Sequence, residues 1–290
     1  MTQPTGAVPH EFSTVAIVGV GLIGGSIALA AKQRRTALKV IGVGRNAARL
    51  AEASRRGIID DAASDLASAA RLADLIIFCT PVDRIAVGVR EAAAVCRPGT
   101  LITDAGSTKG EICRDLAVGL PQGVEFVGAH PLAGSEQQGF EHASASLFEN
   151  RVCVVTPQPA NSSKSVARIA AFWTALGSTV TEMTPAAHDR ALAETSHLPH
   201  VAAAALAATL SAENRVLAAT GFRDTTRIAS GDPELWTAIL LGNRECVQSS
   251  LAAFDAALDR FRQAIEENDA EGLKNLLKAA KIGRDAIGSS

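Results

Sequence analysis

The chain contains no tyrosine, and its aromatic residues amount to nine Phe and two Trp in 290 positions. No phenol is therefore available as an acid or a base. The five cysteines (79, 96, 113, 153 and 246) are odd in number and show no CxxC spacing. That pattern argues for reduced cytoplasmic thiols and against a disulfide framework. An excess of one charge is also lacking: 28 Lys and Arg stand against 30 Asp and Glu, a net charge of −2. With no basic block, the chain lacks the electrostatic footprint of a nucleic-acid binder. The longest near-apolar run, Leu198 to Leu210, contains His200 and falls short of the roughly 20 residues a membrane span needs. Met1 to Glu11 has no basic stretch followed by an apolar one, so no secretory signal is expected. These absences together point to a cytoplasmic chain without nucleic-acid or membrane partners.

What is present suggests two domains, at roughly 100–200 residues each. Residues 1–13 read as a flexible tail. From Thr14 to about Thr184, short β-rich runs alternate with helical stretches: TVAIVG (14–19), KVIGVG (39–44), ADLIIFCT (73–80), GTLITDAG (99–106), EFVGAHP (125–131), RVCVVTP (151–157) and STVTEM (178–183). Alternation of this kind is the mark of βαβ units on a mostly parallel sheet. Over 185–290 strand-like runs disappear. One helix is expected from about Ala186 towards Ala219, interrupted near Pro199. A second starts at Asp232-Pro233, an N-cap followed by Pro at the first helical position, and runs to about Asn268. A third spans Ala270 to Arg284. The fold class expected is thus an α/β Rossmann-type domain followed by an all-α domain.

Gly19-Val20-Gly21-Leu22-Ile23-Gly24 follows the first strand and opens the first helix. In that setting G-x-G-x-x-G is a dinucleotide-binding signature: Gly19 for the turn, Gly21 for approach of a pyrophosphate, Gly24 for helix–strand packing. The N–H groups at the helix start, Leu22 and Ile23 among them, face the phosphates. The second strand ends in Gly44-Arg45-Asn46, where an acid normally binds the ribose 2′-OH of NAD. Arg45 is suited to a 2′-phosphate, with Arg49 one helical turn on, so NADP is favoured and NAD is possible. The alternative for Arg45 is a solvated loop arginine.

Further candidates stand at strand carboxyl ends, the edge where open α/β sheets bind ligands. They are Thr80-Pro81, the segment Asp104 to Gly110, and the segment Gly128 to Glu136. His130 is the best single candidate for acid/base work, because its pKa lies near neutrality; a structural histidine is the alternative. Ser107 reads either as a hydrogen-bond donor or as a helix N-cap. His188-Asp189 forms a further candidate pair, and His197 and His200 can share a helix face if Pro199 only kinks it. Neither HExxH nor a Cys pair at ligand spacing is present, so no metal is expected. Arg227, between threonines and a turn, suits a carboxylate clamp or a salt bridge to Asp224 or Glu234.

GVGLIGGS (19–26), CTPV (79–82), DAGSTKG (104–110), GAHPLAGSE (128–136), SHLPH (196–200) and GFRDTTRIASGDPELW (221–236) occur in an order that resembles the prephenate/arogenate dehydrogenase family. The resemblance covers about residues 14–280. It implies oxidative decarboxylation of prephenate or arogenate with NAD or NADP, and a helical second domain that forms a homodimer. It further implies His130 as the catalytic histidine, Ser107 as its support, and Arg227 as the substrate-carboxylate arginine. His197, His200, Glu136 and Trp236 enter as pocket residues. Neither the ACT nor the chorismate-mutase domain of some members is expected, nor feedback by tyrosine through one. Two rival readings are a β-hydroxyacid-dehydrogenase-type enzyme and a non-catalytic dinucleotide sensor. The first uses a lysine on its helical domain, and residues 186–236 contain none.

Overall fold

The computed structural model describes residues 11–134 and 137–287. Its first half is one eight-stranded sheet in the order β3-β2-β1-β4-β5-β6-β7-β8. The strands are β1 (Phe12–Val18), β2 (Ala37–Val43), β3 (Asp61–Ala63), β4 (Leu75–Phe78), β5 (Leu101–Asp104), β6 (Glu125–Pro131), β7 (Val152–Thr156) and β8 (Thr179–Glu182). All neighbouring pairs are parallel except β6 and β7. The direction of the strand order reverses between β1 and β4, which opens a crevice at their carboxyl ends. The short edge strand β3 has no counterpart among the expected runs. Its three residues, Asp-Ala-Ala, carry no apolar pattern, and pairing with β2 makes them a strand.

The period of two places successive side chains on opposite faces. Val15 and Ile17 of β1 join Leu75 and Ile77 of β4 in one core, beneath α1 (Leu22–Gln33) and α6 (Ser163–Ala175). Ala16, Val18, Ile76 and Phe78 join the other, against α3 (Leu66–Ala70), α4 (Val82–Ala93) and α5 (Gly110–Leu116). Both faces are covered, so LIIF is apolar throughout. Ala28, Ala30 and Ala31 of α1 are fully buried, and their small size lets the helix lie close to the sheet. Trp173 and Phe172 of α6 anchor the same face, edge-on to Phe148 and Phe12 respectively. Each fully buried large side chain contributes about 1.5–3 kcal/mol.

After β8 the chain is helical: α7 (Pro185–Leu192), α8 (Leu198–Thr209), α9 (Thr220–Thr226), α10 (Pro233–Gly242), α11 (Arg244–Glu266) and α12 (Ala270–Ala286). Contacts divide the chain later than this change. Residues up to Asn243 form one compact unit and residues from Arg244 a second. The reason is that α7 packs on α5 and α10 on α4, within the first unit. The expected single helix from Pro233 to Asn268 is broken at Asn243, whose backbone leaves the helical region. Asn243 is the C-cap, and Gly242 before it, a poor helix former, is the sign of the break legible in the sequence. The expected helix from Ala186 ends at Thr209 and contains a π turn, Ala193–His197, just before Pro199. Proline lacks an N–H and crowds the carbonyl four residues back, and the wider turn relieves both. In the second unit α11 and α12 form a hairpin. Asn268 takes a left-handed conformation at its turn, and Asp269 caps α12 through the Gly272 N–H at 2.9 Å.

Candidate active site

The dinucleotide-type turn sits in the crevice between β1 and β4. Gly19 has φ +99°, and a Cβ there would lie 2.7 Å from the Cys79 carbonyl oxygen. A Cβ on Gly24 would lie 2.1 Å from the Gly19 carbonyl oxygen, so the turn and α1 close only on glycine. At Gly21, by contrast, a Cβ would meet nothing within 4 Å. That opening lies at the N-cap of α1, and no side chain caps the helix. The amides at the start of α1, Leu22 and Ile23 included, are therefore open to an anion. Thr80 and Pro81 follow β4 beside Gly19. The Thr80 Oγ1 is buried without a hydrogen-bond partner among the described residues, and Pro81 precedes α4.

At the end of β2, Gly44, Arg45, Asn46, Arg49 and Val20 line a pocket of about 640 Å³. Asn46 caps α2 (Ala47–Arg55) through the Arg49 N–H at 3.1 Å. The Arg49 guanidinium is fixed twice over: it pairs with Glu141 at 2.9 Å and lies over the Phe140 ring at 4.7 Å. These residues fit the adenosine end of a dinucleotide.

The second cluster lies at the carboxyl ends of β5 and β6. Asp104, at the end of β5, accepts the Ala129 N–H on Oδ1 at 3.0 Å and the Gly106 N–H on Oδ2 at 2.9 Å. It also pairs with Lys109, and both side chains are fully buried. His130, at the end of β6, places Nδ1 2.8 Å from Nε2 of His188 on α7. His188 in turn places Nδ1 2.7 Å from Oδ1 of Asp189. Asp189 accepts the backbone N–H groups of Lys109 at 2.8 Å and Gly110 at 2.7 Å, which ties α7 to the start of α5. Burial pushes the Asp189 carboxyl up, but hydrogen bonds from His188 and the two amides outweigh it and hold it below the usual range. Burial, reinforced by His188, Lys109 and His197, pushes His130 well below the usual histidine range, so its ring is neutral near pH 7. Ser107 stands half-buried on the loop between β5 and α5. Its N-cap alternative is not realised, since Lys109 occupies that position without a side-chain cap.

His197 and His200 come together against Trp236 of α10. The His200 ring stacks on the indole at 3.5 Å between centroids, and His197 meets it edge-on at 6.3 Å. Asn243, absent from the sequence-based candidates, orients His197. Its Nδ2 donates to the Asp189 carbonyl at 2.7 Å and lies 3.1 Å from His197 Nδ1. The carbonyl fixes which end of the amide faces inward, so His197 Nδ1 accepts and its proton sits on Nε2. That Nε2–H has no partner among the described residues, nor has Nδ1 of His200. Burial chiefly lowers His197 to about 4 and lowers His200 as well. Arg227 is exposed at the end of α9, where it opens a 3₁₀ turn that packs against α8. Glu136 lies outside the described residues. Among the described residues no group of three or more His, Cys, Asp or Glu side chains is arranged to hold a metal ion.

Residues 27–182 match the family model described as the nucleotide-binding domain of prephenate dehydrogenase, and residues 184–279 the model described as its dimerization domain. The chain is 36% identical over 281 residues to the prephenate dehydrogenase of Bacillus subtilis (strain 168), covering 94% of this chain and 76% of that one. It is 32% identical over 283 residues to the cyclohexadienyl dehydrogenase of Zymomonas mobilis, covering 95% and 96%. Among solved structures, prephenate dehydrogenase from A. aeolicus, in complex with hydroxyphenyl propionate and NAD+, superimposes with a TM-score of 0.89 at 32% identity. The match covers 95% of this chain and 98% of that one.

Proposed function

The chain belongs to the prephenate dehydrogenase family, and on that premise we propose that it oxidatively decarboxylates prephenate or arogenate in tyrosine biosynthesis, with NADP preferred over NAD. The observation that carries the reading is His130, a buried neutral imidazole at the end of β6 in a sheet whose first turn is open to a pyrophosphate. When bound, the dinucleotide supplies the acceptor for a hydride from C4 of the substrate ring. The turn Gly19–Gly24, the start of α1, and Thr80-Pro81 would hold its diphosphate. Arg45, with Arg49 pinned by Glu141 and Phe140, would take the 2′-phosphate and so favours NADP.

As C4 is oxidised its hydroxyl becomes a carbonyl, and the hydroxyl proton needs an acceptor. His130 takes that role because burial keeps the ring unprotonated near pH 7. Ser107 holds the hydroxyl or orients His130. Arg227 engages a substrate carboxylate, and the unpartnered Nε2–H of His197 offers a second donor. His200 and Trp236, stacked on each other, provide an apolar wall, and Glu136 is assigned to the pocket on sequence grounds. Loss of carbon dioxide then aromatises the ring, which makes the reaction effectively irreversible.

The hairpin of α11 and α12 exposes Leu258, Ile265, Leu277 and Ile282. Such a stripe is suited to burial against a second copy, and we assign the enzyme as a cytoplasmic homodimer. Among the described residues no helix is long and apolar enough to cross a membrane. The test is purified protein with both substrates crossed with both dinucleotides, followed at the absorbance of the reduced nicotinamide. Reduction of NADP is expected with at least one substrate. No reduction in any combination refutes the reading.

A further inference from the structure

His188 and Asp189 stand outside the roles assigned so far, yet they form an unbroken chain behind His130. Asp189 is doubly anchored by the amides of Lys109 and Gly110 and acts as a pure acceptor. Its partner, His188 Nδ1 at 2.7 Å, must therefore donate. With a single proton on that ring, Nε2 of His188 is a lone pair. The only hydrogen that can lie in the 2.8 Å contact with His130 then belongs to His130 Nδ1. That leaves a single nitrogen of His130 able to receive a proton.

We propose that His188 and Asp189 are positioning residues that hold His130 as its Nδ1–H tautomer, with Nε2 free to accept the substrate's hydroxyl proton. The proposal rests on the dehydrogenase reading above and adds to it the atom that acts and the groups that keep it ready. In the step, the substrate O–H bond breaks and an N–H bond forms at His130 Nε2. The oxygen's electron pair forms the carbonyl as the hydride leaves C4 for the dinucleotide. The imidazolium so produced donates through Nδ1–H to His188, which is backed by the Asp189 carboxylate. The other titratable groups that act on His130 are Lys109, itself paired with Asp104, and the neutral His197. None of these is hydrogen-bonded to His130 among the described residues, whereas His188 meets its Nδ1 at 2.8 Å, and Ser107 is left to the substrate side of the ring. The wrong tautomer is costly in such chains, because it presents a hydrogen where a lone pair is needed.

The test pairs nitrogen NMR of the histidine side chains with steady-state kinetics on the full chain. The His130 signals are identified by their loss in His130→Asn. In the unliganded wild type His130 is expected to show a protonated Nδ1 and an unprotonated Nε2. His188→Leu should shift His130 towards the Nε2–H form and lower kcat at least about tenfold, with dinucleotide affinity unchanged. His188→Gln offers an amide oxygen to the same Nδ1–H and should recover both the tautomer and most of kcat. A wild-type His130 protonated at Nε2 overturns the proposal, as does a folded Leu variant that keeps tautomer and kcat. A Gln variant no better than the Leu variant also overturns it. If the Leu variant does not fold, the wild-type spectrum decides. A wild type that reduces no dinucleotide sinks the dehydrogenase reading instead, and leaves the tautomer measurement standing.

Discussion

Exchanging His197 for asparagine removes a buried imidazole that must take up a proton when the chain unfolds in acid. His197 is 1% exposed. Burial is the main cause that lowers it; His188 and His200 push the same way, and Asp189 opposes them. Its value in the fold is about 4, against 6.5 for a free histidine. Above the free value both states are neutral, and the residue contributes nothing to pH dependence. Between the two values the unfolded chain binds the proton and the folded chain does not, so stability falls as pH falls. At about pH 5 the loss is ~2 kcal/mol, approaching ~3 kcal/mol once both states are protonated. The asparagine oxygen can still accept from Asn243, so the variant keeps that contact and loses only the titration. Thermal melts from about pH 8 to pH 5 at fixed ionic strength provide the comparison. Wild type should lose roughly 4–8 °C more than the variant over that span. Parallel curves for the two proteins would refute the assignment of a buried neutral His197.

Three other outcomes follow from the same geometry. Arg45→Asp should weaken NADP binding at least about tenfold, the worth of one charge-assisted hydrogen bond, and should leave NAD binding equal or better; titrations that show an unchanged preference would remove Arg45 from the phosphate site. His130→Asn should lower kcat by about 10²–10⁴ while dinucleotide affinity stays the same, and retained turnover would show that another group takes the proton. Asp104→Asn strands the fully buried Lys109 ammonium and should cost about 3–5 kcal/mol in denaturant unfolding; a loss below about 1 kcal/mol would mean that Lys109 is not held as a buried charge.

Features governed by neighbours in the chain were legible in the sequence. Gly19 and Gly24 announced a turn that closes only on glycine, because the clash a Cβ would suffer is with the turn's own backbone or the segment after the adjoining strand, while Gly21 marked the open side of that turn. LIIF announced a strand covered on both faces, and Asp232-Pro233 announced a helix start, where Asp232 indeed accepts the Glu234 N–H at 2.8 Å. His130, Ser107 and the SHLPH histidines were legible as residue types at strand ends or on one helix face. The strand β3 was not, because three unremarkable residues become a strand only beside β2. The break at Asn243 had a local sign in Gly242, but its use had none: the amide binds partners 54 and 46 residues away.

The sequence by itself determined the sheet's period, the dinucleotide turn, the helix caps and the set of groups able to carry a proton. These depend on covalent chemistry and on contacts within a few residues. Only the tertiary structure decided which of those groups work together. His130 meets His188 across 58 positions, and Asp189 meets the start of α5 across 80. The neutral state of His130 and His197 was decided there too, because desolvation is a property of the packed site and not of the residue.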